Sequence, residues 1–180
     1  MNAKYKKTLK IVTLLVTALL ISTASADIYN YLFQDATITV EGLTLTWTTT
    51  DAADATDAGT TVAGSTCTLS GLKGPAGGTR TYSDPVRLTA SAATTFNLNI
   101  ASISGDTGDM DSIVVTIYDI TDDVTPVATL TVWNGAAQGS DLSSLSIAQD
   151  ATWRFQWAIS WADGASGTVT VELEVEIPPA

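Results

Sequence analysis

Between Thr152 and Trp161 the chain places Trp153, Phe155, Trp157, Ile159 and Trp161 at every second position, with Thr152, Arg154, Gln156, Ala158 and Ser160 between them. Side chains of a strand point alternately to opposite faces, so this period of two dictates a strand buried on one side and wet on the other. A helix would scatter the same rings around its circumference. After Ala162–Gly167 the alternation resumes, with Val169, Val171, Leu173, Val175 and Ile177 set between Thr170, Glu172, Glu174 and Glu176. The two runs read as a β-hairpin whose rings form a core stripe. A sugar-stacking platform on Trp153, Trp157 and Trp161 is the alternative. The three glutamates read as a solvated row guarding a sheet edge, with Arg154 close enough to meet one of them.

The rest of the chain is rich in Thr and Val and nearly free of helical periodicity, which makes the fold all-β. Further strands are expected at 66–72, 86–90, 95–103 (Phe96, Leu98 and Ile100 inward), 112–120, 127–133 and, more weakly, 142–147. Ile38 and Val40 share one parity, whereas Leu43, Leu45 and Trp47 share the other, so a bulge or a passage between sheets is expected at Gly42. Residues 51–64 and 73–79 read as surface loops. Some eight short strands separated by Gly, Asp and Ser turns predict an antiparallel β-sandwich of jelly-roll or immunoglobulin-like type. Its core should include Trp47, Phe96, Trp153, Phe155, Trp157, Leu173 and Val175.

The first residues follow a different logic. Lys4, Lys6, Lys7 and Lys10 precede an apolar run from Ile11 to Ile21, and Ala24-Ser25-Ala26 offers a small-x-small cleavage site. Residues 1–26 therefore read as a signal peptide removed after Ala26, and the run is too short for a membrane span. The mature protein is expected outside the cell and off the membrane. Its new N-terminus would carry Ile28, Tyr29, Tyr31, Leu32 and Phe33 at once, a segment too apolar to remain in water. A groove must receive it, either in its own domain or in a neighbouring copy. The expected organisation is signal peptide 1–26, N-terminal strand 27–35 and sandwich domain 36–180.

Cleavage removes four of the eight basic residues and none of the nineteen acidic ones, leaving a formal charge of about −15. Only Lys73, Arg80, Arg87 and Arg154 remain positive. Nucleic acid is thereby excluded as a partner, because phosphate binding needs clustered cations. The lone Cys67 reads as a buried thiol, and no internal disulfide can form.

The chain contains no histidine, which removes an imidazole base, a Ser/His triad and His-bound zinc. Cys67 lacks an activating partner. The Gly-rich stretch 73–78 lacks the strand-to-helix setting of a phosphate loop. An enzyme is not expected. Asp106, Asp109 and Asp111 do place three carboxylates in a Gly-containing loop, the ligand type that calcium takes. A solvated turn is the competing reading. Asp119, Asp122 and Asp123 form a weaker group of the same kind.

A signal peptide running directly into Ile28–Phe33 and Gln34-Asp35, then a strand 37–47 with its central Gly42, resembles the TasA/camelysin-type secreted fibre subunits. It is most similar to the archaeal bundling-pilus and thread pilins of that type. The sandwich that follows agrees, whereas the lysines common in the bacterial members are missing. The resemblance implies donor-strand complementation, in which residues 27–34 of one subunit complete a sheet of the next. It thus implies a homopolymer, with lateral filament bundling as a further expectation. Burying four large apolar side chains at ~1.5 to 3 kcal/mol each would contribute on the order of 6 to 12 kcal/mol before ordering costs. Aromatic side chains Tyr29, Tyr31 and Phe33 share one face of such a strand. The alternative is a monomeric secreted module that recognises carbohydrate or the cell envelope.

Overall fold

The computed structural model of the protein describes residues 44–50 and 53–178. Ten strands lie in that range: β1 Leu45–Thr49, β2 Thr60–Ala63, β3 Thr66–Leu72, β4 Thr79–Ala90, β5 Thr94–Gly105, β6 Met110–Asp119, β7 Asp122–Trp133, β8 Leu142–Ile147, β9 Thr152–Trp161 and β10 Val169–Glu176. A short helix, α1 Ala53–Asp57, lies between β1 and β2. The strands form two five-stranded antiparallel sheets, β1-β4-β9-β6-β7 (sheet A) and β2-β3-β10-β5-β8 (sheet B). Together they make a β-sandwich.

The alternation that defined the strands also builds the core. All five bulky residues of β9 are buried, as are Val169, Val171, Leu173 and Val175 of β10, and one continuous cluster joins both sheets. Trp47 meets Phe155 edge-on with ring centroids 4.9 Å apart. Phe96 of sheet B packs on Trp153 of sheet A at 5.7 Å, and the Trp47 Nε1–H donates to the Ser65 carbonyl at 2.9 Å. All seven expected core residues are buried, so the tryptophans of β9 offer no sugar platform. Tyr82 is a core residue that the sequence pattern did not expose. Its ring is buried, and its hydroxyl donates to the Lys73 carbonyl at 2.9 Å while accepting the Lys73 amide at 3.1 Å.

Several expectations need correction. β9 and β10 are not a hairpin: β9 pairs with β4 and β6, whereas β10 pairs with β3 and β5. They face one another across the core, and residues 162–168 cross between sheets. Alternation identifies the buried face of a strand but not its hydrogen-bonded neighbour, which explains the misreading. β10 is accordingly central in its sheet, so its glutamates guard no edge. Arg154 lies on the outer face of the other sheet and pairs with Asp123. The presumed loop 51–64 contains α1 and β2, while β4 and β7 each begin several residues earlier than their apolar runs. The signal peptide, the segment 27–35 and the parity switch at Gly42 lie outside the described residues.

Candidate functional site

The two flanks of the sandwich are finished differently. On the β1/β2 flank, Ala55 and Ala58 are buried beside α1, and Trp47 ties β1 to the β2–β3 turn. On the β7/β8 flank, Ala128 and Trp133 of β7 and Leu142 and Leu145 of β8 are only partly buried against the core. Val127 is 43% exposed and Val124 86% exposed. Leu142 and Leu145 sit opposite Leu98 and Phe96 in the ladder, so they share the inward face of sheet B.

β7 has two kinds of edge. Near Trp133 the chain folds back, with Gln138 bridging Trp133 and the Gly139 amide donating to the Val132 carbonyl at 3.0 Å. Gln138 Nε2 also donates to the Ile100 carbonyl at 3.0 Å, fastening this return to sheet B. Residues 122–128, by contrast, pair on one side with β6, and no strand among the described residues pairs with their other side. Pro126 fits such an edge because it has no N–H to offer a ladder. β8, the edge of the facing sheet, is interrupted where Ser144 takes φ 57°, between the pairs Phe96↔Leu145 and Leu98↔Leu142. That bulge limits pairing along β8.

The acidic loop acts as a clasp. Asp106 Oδ2 accepts the Thr168 amide and Asp109 Oδ2 accepts the Ser166 amide, both at 3.3 Å. The Ala162 amide donates to the Asp109 carbonyl at 3.0 Å. Two carboxylates thus satisfy backbone donors of the crossing between β9 and β10. Asp106, Asp109 and Asp111 do not converge, and no group of three side chains able to hold a metal ion occurs among the described residues.

A third feature was not legible in the sequence. A recess of about 490 Å³ on the outer face of sheet A is lined by Ser83, Asp84, Arg87, Ile120, Asp123, Arg154 and Gln156. Arg87 of β4 and Arg154 of β9 are directly opposite in the ladder. Like charges in that relation destabilise a sheet unless they are compensated. Compensation comes from Asp84, which takes Arg87 through Nε and Nη2, and from Asp123, which takes Arg154 through Nε and Nη2. The Asp84 hydrogen bond raises the Arg87 pKa above its ordinary value. Arg154 also lies over the Tyr118 ring, 4.7 Å from its centroid. The recess exists because β4 carries extra residues between Tyr82 and Val86. Asp54 of α1 accepts the Ser83 and Asp84 amides and holds that bulge out. The one hint in the sequence was the scarcity of cations, two of which meet here.

Neither a protein-family model nor a curated protein matches this chain.

Proposed function

We propose that the protein is a structural subunit of an extracellular filament or pilus, serving a biofilm matrix or adhesion, and that residues 27–34 of one subunit add as a strand to the next. The observation that carries this reading is the edge of β7 at 122–128, which no strand among the described residues covers, beside partly buried Ala128, Leu142 and Leu145. An added strand gains a ladder of backbone hydrogen bonds from such an edge, while its alternate side chains settle on the apolar floor beside it. Tyr29, Tyr31 and Phe33 are the row suited to that floor, and Ile28 and Leu32 lie on the opposite face. Because the donor segment and the acceptor edge are different surfaces, the contact repeats head to tail without closing. The role is mechanical, and no catalytic step belongs to it.

Size-exclusion chromatography and negative-stain microscopy of the mature chain test the proposal. The chain from residue 27 should form filaments, and a chain lacking 27–34 should remain folded and monomeric. Replacing Tyr31 and Phe33 with Asp should have the same effect, because it would force charge into an apolar site. A mature chain that stays monomeric over a wide concentration range, or a deletion that still polymerises, defeats the reading. A second reading, a monomeric module that binds carbohydrate or cell envelope, is favoured by the polar recess around Arg87 and Gln156. Glycan binding by a strictly monomeric protein would establish it instead.

A further inference from the structure

The return that closes the Trp133 end of β7 begins at Asn134-Gly135, and the fold needs that pair as it stands. Gly135 takes φ 88°, and a side chain there would meet the Asp111 carbonyl at 2.8 Å, so glycine is required. Asn134 holds the turn from inside. Its Oδ1 accepts the Ala136 amide at 3.1 Å and the Ala137 amide at 2.9 Å, while its own amide donates to the Ala137 carbonyl at 3.2 Å. Both residues are exposed, and the Gly135 N–H makes no hydrogen bond among the described residues. An unbonded, uncrowded backbone nitrogen thus directly follows a side-chain amide whose oxygen receives two donors, which leaves Cγ more electrophilic. The other asparagines among the described residues, both in β5, are protected by contrast. Asn97 precedes Leu98 and Asn99 precedes Ile100, whose side chains crowd the following nitrogen. Asn97 Oδ1 accepts the Ser144 amide at 3.1 Å, Asn99 Nδ2 donates to Glu176 at 3.2 Å, and the Ile100 amide donates to Asp141 at 2.7 Å.

We infer that Asn134 is a site of spontaneous modification, converted to isoaspartate through attack by the Gly135 nitrogen, and that this conversion opens the return beside β7. The Gly135 nitrogen bonds to Asn134 Cγ and gives up its proton, the Cγ–Nδ2 bond breaks, and ammonia leaves behind a cyclic imide. Water, which reaches this exposed turn, then adds to one of the two imide carbonyls. Opening at Cγ gives an ordinary aspartate, whereas opening at the main-chain carbonyl routes the backbone through the former side chain. Overall a water enters and an ammonia departs, with no oxidant or reductant. Either product adds a negative charge, but only isoaspartate lengthens the backbone and takes the acceptor of Ala136 and Ala137 into the main chain. The bonds that fasten the return, from the Gly139 amide to the Val132 carbonyl and from Gln138 Nε2 to the Ile100 carbonyl, both at 3.0 Å, then lose their geometry. Trp133 stays anchored, because its Nε1–H donates to the Met110 carbonyl at 3.3 Å, so the opening is confined to residues 134–139. The chemistry needs no second copy and is independent of strand exchange.

Incubation of the full mature chain in warm, mildly alkaline buffer over days to weeks tests this. Peptide mass spectrometry, with an isoaspartyl methyltransferase and labelled methyl donor as the probe, should find residue 134 converted at least about tenfold faster than Asn97 or Asn99, with isoaspartate the larger product. In the converted fraction the Gly139 amide should exchange with deuterium at least about tenfold faster than in fresh protein. Asn134→Gln places the side-chain carbonyl one bond further away, so ring closure is disfavoured and the residue should stay unmodified. Freshly made Asn134→Asp adds the charge but keeps the ordinary backbone and an acceptor for Ala136 and Ala137, so its Gly139 exchange should match that of fresh protein. Near-UV circular dichroism of the tryptophans checks folding in both variants. Conversion at residue 134 no faster than at Asn97 and Asn99 overturns the inference, as does isoaspartate at 134 that leaves Gly139 exchange unchanged. Exchange in fresh Asn134→Asp as fast as in the converted chain also overturns it, since charge rather than a lengthened backbone would then loosen the return.

Discussion

Cys67 sits fully buried on β3, and burial pushes its thiol pKa up to about 12. The folded state thus holds this proton more tightly than the unfolded chain does. The corresponding stability is complete below the ordinary thiol range and is lost progressively as pH rises toward about 12. Native protein at pH 8 should therefore resist iodoacetamide and react only as fast as it unfolds, which mass spectrometry will follow. Trp157 makes a different point. Its Nε1–H is buried without a hydrogen-bond partner among the described residues, as is that of Trp161. An unpaired buried donor costs roughly 1 to 3 kcal/mol. Trp157→Phe removes that donor while keeping an aromatic ring, so it should cost less than about 1.5 kcal/mol, against about 3 to 5 for Trp157→Ala. Denaturant midpoints distinguish the two. Single residues were legible wherever alternation was unbroken. Tyr82 was not, because the bulge at Ser83–Pro85 separates it from the apolar rhythm of Val86, Leu88 and Ala90.

At the scale of elements, the edge of β7 concentrates the testable consequences. Val124 and Val127 lie on the surface, so replacing both with Lys should change stability by no more than about 0.5 kcal/mol. On the proposed strand exchange, the same pair of charges should stop filament growth, since lysines on an edge oppose strand addition. Thermal melting and microscopy of one sample check both statements. Gly139 closes the other end of β7, and a side chain there would collide with the Thr131 carbonyl. Gly139→Ala should loosen the return of residues 134–139 and speed amide exchange at Gly139, whose N–H bonds the Val132 carbonyl. The strands themselves were readable because each buries alternate residues. Their partnership was not: Arg87 and Arg154 become neighbours only through the β4–β9 register, and no local pattern encodes a pairing between segments so far apart. For the same reason the acidic loop could not be read as a clasp. Its carboxylates face the crossing between β9 and β10, which becomes visible only once those strands are assigned to different sheets.

For the whole molecule, the order of strands matters more than their number. Among the described elements only β2–β3 and β6–β7 join sequence neighbours within one sheet; every other consecutive pair is divided between the two layers. β9 stands at the centre of sheet A and β10 at the centre of sheet B, yet both follow all eight other described strands in the chain. A chain ended after Asp150 would lack the middle of both layers. It should show no cooperative melt and should be digested rapidly by protease, whereas a partly stable fragment would contradict this view. The same arrangement governs timing during synthesis. Until Thr152 and the residues beyond it leave the ribosome, the earlier strands have no central partner, and contacts distant in sequence form slowly even then. The nascent polypeptide thus can complete neither described layer until its last strands emerge. On the export route proposed above, postponing the two keystone strands to the end would keep the chain from folding before it crosses the membrane.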